Sequence, residues 1–297
     1  MNYREFINHV KNNMEVCFGK EKQVEIKRVL KNNDVELDAL IIQSRDSGAV
    51  PTIYLNDYYE DYVSGRSIED IEEEIFYIYE GHYEHIKFDI DSFMDFEYVK
   101  ERIVYKIINK EKNTKFLEDV PYIQFLDLAV VFYYILENSD DNEAITVIHD
   151  SLMKIWNKNK EELFEIAKVN TPRLLPFTIQ SMEDIINELL ESKDNPYCVE
   201  ENDAPVMYVL TNQRKFLGAA TILYPDVLKN FSEKLNMDIF VLPSSVHEVI
   251  LVPDMGGVEK EGLTKMVKEV NKQELKESEI LSDHAYIFSI EECKLMI

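Results

Sequence analysis

The sequence predicts an α+β protein: mixed sheets flanked by helices, with an N-terminal helix-plus-hairpin lobe and a C-terminal strand-hairpin-helix-strand unit. Three observations carry that expectation. Apolar residues recur at helical spacing in some stretches, as Phe6, Val10 and Met14 do, and again Leu228, Phe231 and Leu235. β-Branched apolar runs come in pairs around polar turns, as on either side of Lys31-Asn32-Asn33-Asp34. Residues 205–254 combine both patterns and read as strand, polar turn, strand, helix, strand, tight turn, strand.

In chain order, residues 2–15 are expected to form a helix with one buried stripe. Residues 24–30 and 35–42 read as paired strands. Alternation in the second sets Val35, Leu37, Ala39 and Ile41 on one face, with Glu36 and Asp38 on the other. A short strand at 52–55 ends at Asn56, a residue suited to capping the aromatic helix that Gly65 stops. Ser67 with Asp70 is a capping arrangement ahead of a helix carrying Ile68, Ile71, Ile75, Ile78 and Tyr79. Glu69, Asp70, Glu72, Glu73 and Glu74 crowd its first turns, where the helix dipole favours negative charge. Calcium loops alternate their ligands around a turn glycine, absent here, so the acidic run is read as a solvated face.

Residues 102–109 read as a strand or a helix continuation, and 123–136 as one central strand interrupted by Asp127. A turn at 138–142 leads to a partner strand at 144–148. Short helices follow around Leu152, Ile155 and Trp156, and around Leu163, Phe164 and Ala167, the second ending at Thr171-Pro172-Arg173. A helix at 182–190 precedes the polar segment 193–204, the linker candidate between an N-terminal and middle α+β region, 1–192, and a C-terminal unit, 205–297. In that unit 206–210 and 217–223 read as strands around a polar loop. The small residues at 218–220 imply close packing by a helix or a ligand. Pro225 suits the first turn of a helix over 225–236. Strands at 239–242 and 246–252 flank Pro243-Ser244-Ser245. Leu263, Met266, Val267 and Val270 mark another helix, and 285–290 a last strand.

Composition narrows the function classes. Against 32 Lys+Arg stand 57 Asp+Glu, a net charge of −25 in 297 residues. Such a charge repels phosphate backbones and anionic lipid, so duplex nucleic acid and membranes are poor partners. It serves solubility, and it favours a basic protein partner or mimicry of nucleic acid. Cys17, Cys198 and Cys293 are odd in number and far apart, which fits free thiols in a reducing cytoplasm better than a disulfide framework or a zinc site. The N-terminal residues lack the apolar core of a signal peptide. The longest apolar run, 128–136, falls well short of the ~20 residues a membrane helix needs.

The segments VLKNNDVELDALII, PTIYLNDYYEDY, FLDLAVVFY, NTPRLLP, MYVLTNQRKFLGAATILYPDVL and LPSSVHEVILVP occur in that order. Together they resemble a family of uncharacterised bacterial proteins common in anaerobic gut bacteria. The resemblance covers nearly the whole chain and implies no particular activity. A weaker likeness over 125–176 links the chain to a second uncharacterised family with an α+β fold.

Several constellations are candidates for chemistry. His149-Asp150 and His247-Glu248 are adjacent pairs; neighbours on a strand point to opposite faces, so with 246–252 extended His247 and Glu248 do not both grip one metal. No metal and no cofactor are expected. Ser244 or Ser245 with His247 as base, and Glu248 or Asp127 as the acid, would form a nucleophilic set. No GxSxG elbow or glycine-rich oxyanion loop accompanies them, and turn chemistry explains the serines equally well. Thr211, Asn212 and Arg214 on one loop, with Thr171 and Arg173 at a helix end, would suit a small anion or a peptide carboxylate. The favoured expectation is a non-catalytic interaction or regulatory protein with a protein partner. The alternative is a hydrolase acting on a small or peptide substrate through the Ser244/Ser245/His247 turn. If strands 206–210 and 239–242 run parallel, the Thr211 and His247 turns emerge at the same end of one sheet.

Overall fold

The computed structural model describes residues 1–44, 52–83, 90–136, 145–191, 206–243 and 245–297. The linker candidate at 193–204, the turn at 138–142, Cys198 and Ser244 lie outside the described residues.

The first lobe is built by local rules. Helix α1 (Tyr3–Phe18) opens on a capping box in which Asn2 and Glu5 satisfy each other's backbone N–H at 2.9 Å, and it buries Phe6, Val10 and Met14. Strands β1 (Lys22–Leu30) and β2 (Glu36–Ser44) pair antiparallel, and β3 (Thr52–Tyr54) adds to β2. Helices α2 (Leu55–Val63) and α3 (Ile68–Tyr83) complete a core with Leu40, Ile42, Ile71, Ile75 and Tyr79. As expected, Ser67 Oγ accepts the Asp70 N–H, at 3.1 Å.

Two expectations fail in this lobe. The face of β2 that joins this core carries Leu40 and Ile42, not Val35, Leu37 and Ile41. Ala39 on the expected face is nonetheless buried. Asp38 lies on the core-facing side, at 9% exposure, and is tolerated because its carboxylate accepts the Tyr3 hydroxyl at 2.8 Å. Both faces of β2 carry apolar residues, so the position of α1 decides which turns inward. Asn56 does not cap α2; it lies inside the helix, and its Oδ1 accepts the Asp38 N–H at 2.9 Å.

The middle region contains α4 (Ile90–Met94), α5 (Phe96–Val99), β4 (Ile103–Asn109), β5 (Tyr122–Phe125), β6 (Leu128–Ile135) and β7 (Ile145–Val147), followed by α6 (Asp150–Trp156) and α7 (Lys160–Leu174). Residues 123–136 form a tight hairpin rather than one strand: Phe125 faces Leu128, and Leu126 takes a left-handed φ of 53°. Asp127 sits in that turn and accepts the Tyr286 hydroxyl at 2.8 Å and the Ser282 hydroxyl at 2.6 Å. Residues 128–136 are apolar throughout because β6 is buried on both faces. Leu128, Val130, Phe132 and Tyr134 enter the largest core, while Ala129, Val131 and Tyr133 enter a second. Helix α7 continues through Pro172 to Leu174 instead of ending at 171–173.

The last region holds β8 (Phe177–Ser181), α8 (Met182–Glu191), β9 (Tyr208–Asn212), α9 (Val227–Leu235), β10 (Ile239–Leu242), β11 (Val249–Pro253), α10 (Lys260–Glu274), β12 (Tyr286–Ser289) and β13 (Lys294–Met296). The sheet runs β13-β12-β10-β11-β9-β8, all pairs antiparallel. Residues 217–223 are not a strand: Gly218–Leu223 is a 3₁₀ helix. Pro225 stands just outside α9, with Asp226 at its N-cap. The expected strand at 246–252 begins only at Val249. Strands β8 and β13 have no counterpart in the sequence expectation. Strand β8 precedes the linker candidate yet pairs with β9 beyond it, and the largest core draws on both sides.

Asparagines tie the three regions together. Asn33, in the left-handed region at φ 61°, donates its N–H to Asn113 Oδ1 at 2.7 Å and accepts Asn113 Nδ2 at 2.9 Å. Its own amide donates to the Glu277 and Ile280 carbonyls at 2.6 and 2.7 Å. Asn109 Nδ2 reaches the Leu281 carbonyl at 3.1 Å.

Candidate functional site

Strand β10 is antiparallel to β11 and β11 to β9, so β9 and β10 run the same way and their following turns emerge at one end of the sheet. Thr211, Asn212, Ser245 and His247 meet there. The Thr211 hydroxyl donates to the His247 carbonyl at 2.7 Å. Asn212 is fully buried: its amide donates to the Phe216 carbonyl at 2.7 Å, and its Oδ1 accepts the N–H groups of Arg214 and Phe216 at 3.0 and 3.3 Å. That side chain shapes the loop that sets Leu217 at φ 54° and aims the Leu217 N–H at His247 Nδ1, 3.2 Å away. Gly218 follows because nothing larger fits. A Cβ there would meet Thr211 Oγ1, the His247 carbonyl oxygen at 2.5 Å and Asn212 N at 2.8 Å. The small residues therefore answer to the ends of β9 and the β10–β11 turn.

The chemistry of His247 follows from its partners. Nδ1 accepts a backbone N–H, which leaves the ring proton on Nε2. Burial lowers its pKa, Glu279 and Glu248 oppose that, and the charge of Lys106 reinforces it. Ser245 Oγ accepts the His247 N–H at 3.0 Å, so serine and histidine meet through the backbone of the turn.

The other candidates lie apart from this cluster. Thr171 is fully buried, donates to the Ala167 carbonyl at 2.6 Å and accepts the Tyr105 N–H at 3.1 Å. Arg173 donates to the Glu101 carbonyl at 2.8 Å. Arg214 is exposed on the loop after β9. His149 Nδ1 lies 3.1 Å from Asp119 at the surface. Among the described residues no group of three or more His, Cys, Asp or Glu side chains is placed to hold a metal.

A second candidate lies between α1 and α3. Asn13, Met14 and Cys17 from α1 and Glu69, Glu72, Glu73, Phe76 and Tyr77 from α3 line a groove. The solvated-face expectation suits Glu69, Asp70 and Glu73, which are exposed, but not Glu72, which is 6% exposed. Asn13 Nδ2 donates to Glu72 Oε2, whereas buried Oε1 has no hydrogen bond, His9 Nε2 standing 3.5 Å away. Desolvation raises the Glu72 pKa, and the Asn13 bond works against it. Tyr77 is 64% exposed and also borders a shallow groove with Asp70, Glu73, Glu74, Ile78 and Gly81. The sequence did carry one signal: Glu72 stands four residues from both Ile68 and Phe76, on the flank of the apolar stripe.

Residues 3–290 match the family of unknown function DUF5688. The chain belongs to that family. No curated protein and no solved structure matches it. The DUF5688 match spans both the His247 turn and the groove between α1 and α3. No helix among the described residues is long and apolar enough to cross a membrane.

Proposed function

We propose that this protein works by binding another protein, through a basic segment of that partner, and not by catalysis. The observation that carries the reading is the groove between α1 and α3, where acidic side chains flank exposed Tyr77. A net charge of −25 draws basic surfaces in from a distance, and the groove supplies the place where one engages. The compartment of this reading is the cytoplasm, in keeping with three scattered cysteines, two of them free and exposed. Immobilised full-length protein should bind unstructured cationic peptides at low salt, progressively less as salt rises, and ignore acidic peptides of equal length. Absence of cationic binding at low salt would overturn it.

A hydrolase acting through Ser244, Ser245 and His247 is the second reading, favoured by the meeting of the Thr211 and His247 turns at one sheet end. Arg214 on the neighbouring loop would serve it as an anion contact. It has less support, because the Leu217 N–H occupies the ring nitrogen a general base needs and leaves the other protonated.

A further inference from the structure

We propose that two copies of this chain associate through the outer edge of β1, which pairs antiparallel with its own equivalent and joins two three-stranded sheets into one of six. The inference is independent of the basic-partner reading. Among the described residues β1 has a single strand partner, β2, so one edge of a nine-residue strand presents its N–H and C=O groups unpaired. An edge strand is protected from such pairing by charge that no partner answers. This one carries charges that answer each other.

The register decides it. Val24 and Ile26 pack on the core of the first lobe, whereas Glu25 and Lys27 stand on the other face, where they form an ion pair at 3.3 Å. A twofold axis through Ile26 sets that residue against its own copy, Glu25 against the partner's Lys27, and Lys27 against the partner's Glu25. Both are opposite-charge cross-strand pairs, which stabilise antiparallel neighbours. A slip of one residue would bring the core face of one copy against the outer face of the other. A slip of two would set Glu25 against the partner's Glu25, or Lys27 against the partner's Lys27. One register therefore satisfies both faces.

The surrounding charge permits the approach. At −25 each, two copies repel one another overall. Along β1 the balance differs: Lys20, Lys22, Lys27, Arg28 and Lys31 stand against Glu21 and Glu25. Lys22 is paired with Glu80 at 3.2 Å, and Arg28 with Glu36 and Asp38 at 3.5 and 3.6 Å. The acidic excess is thus absent from this edge, and at physiological salt a screening length of ~8 Å removes most of the repulsion from remoter faces.

Sedimentation of the full-length protein at physiological salt, from micromolar to near-millimolar concentration, should show a reversible monomer–dimer equilibrium. Glu25→Lys and Lys27→Glu should each weaken dimerisation about tenfold, since either puts two like-charge pairs at the junction in place of two opposite-charge ones. These changes move the net charge in opposite directions, so overall repulsion alone predicts opposite effects. The double variant Glu25→Lys/Lys27→Glu restores both pairs and should dimerise as the parent does. Both side chains are solvent-accessible, and thermal melts confirm that each variant is folded. A chain that stays monomeric over the whole range overturns the proposal. So does a dimer that the single variants leave intact or that the double variant fails to restore, because the copies then meet through another surface.

Discussion

Replacing Lys106 with Met should stabilise the protein at neutral pH. Lys106 lies on the face of β4 that also carries Val104 and Ile108, directly across from Val131, with Nζ 4.4 Å from the centre of the Tyr133 ring. Among the described residues no carboxylate pairs with it. Burial, reinforced by the charge of Lys31, pulls its pKa from the usual 10.5 down to about 7. The unfolded chain keeps the proton up to ~10.4. Between these values the unfolded state binds more protons than the folded one, so this group's effect on stability improves as pH rises, and its penalty is complete below about 7. The displacement sets a ceiling of ~5 kcal/mol on that penalty. Part of the side chain keeps contact with water, and the ring contact is lost with the amine, so about 1–3 kcal/mol is the expected gain. Urea unfolding of both proteins at pH 7, 8 and 9 checks it, with m compared to confirm the same transition. The advantage of the variant should shrink by at most ~1.4 kcal/mol per pH unit and close with rising pH. A variant less stable than the parent at pH 7, or a difference that does not change with pH, would refute the reasoning.

Gly218→Ala should cost about 2 kcal/mol or more, because two of the three atoms its Cβ meets belong to backbone held in place at the sheet end; unchanged urea stability would show that the junction yields. His247→Ala should cost about 1–3 kcal/mol by orphaning the Leu217 N–H. The folded-state pKa of His247 is lowered, so the stability tied to its neutral ring is present above the unfolded value and is lost as pH falls below about 6.5. Wild type should therefore lose more stability than His247→Ala between pH 7 and pH 5, and parallel acid profiles would count against the burial of this ring.

Helices α1 and α3 and the β1–β2 hairpin were legible because their determinants act between near neighbours. Phe6, Val10 and Met14 share one helical face, Ser67 reaches the Asp70 N–H, and a polar turn joins two β-type runs. The meeting of the Thr211 and His247 turns followed from strand direction. The rest depended on partners distant along the chain. An apolar run such as 217–223 suits a strand or a 3₁₀ helix alike, and the contacts of Gly218 with Thr211 and His247 favour the helix. Asp127 became a turn residue because Ser282, 155 positions later, supplies a hydroxyl for its carboxylate.

The same division runs through the candidate sites. The sequence by itself determined the α+β class, the net charge and the acidic run on α3, since these need only composition and periodicity. That Glu72 leaves the solvated face is a tertiary effect: α1 comes to lie over that turn of α3, Asn13 takes one carboxylate oxygen, and the other is buried 3.5 Å from His9. Only the tertiary structure decided that His247 works as an acceptor for Leu217. Burial and hydrogen bonding are properties of pairs, and the second member of each pair here lies many residues away, beyond the reach of any local pattern.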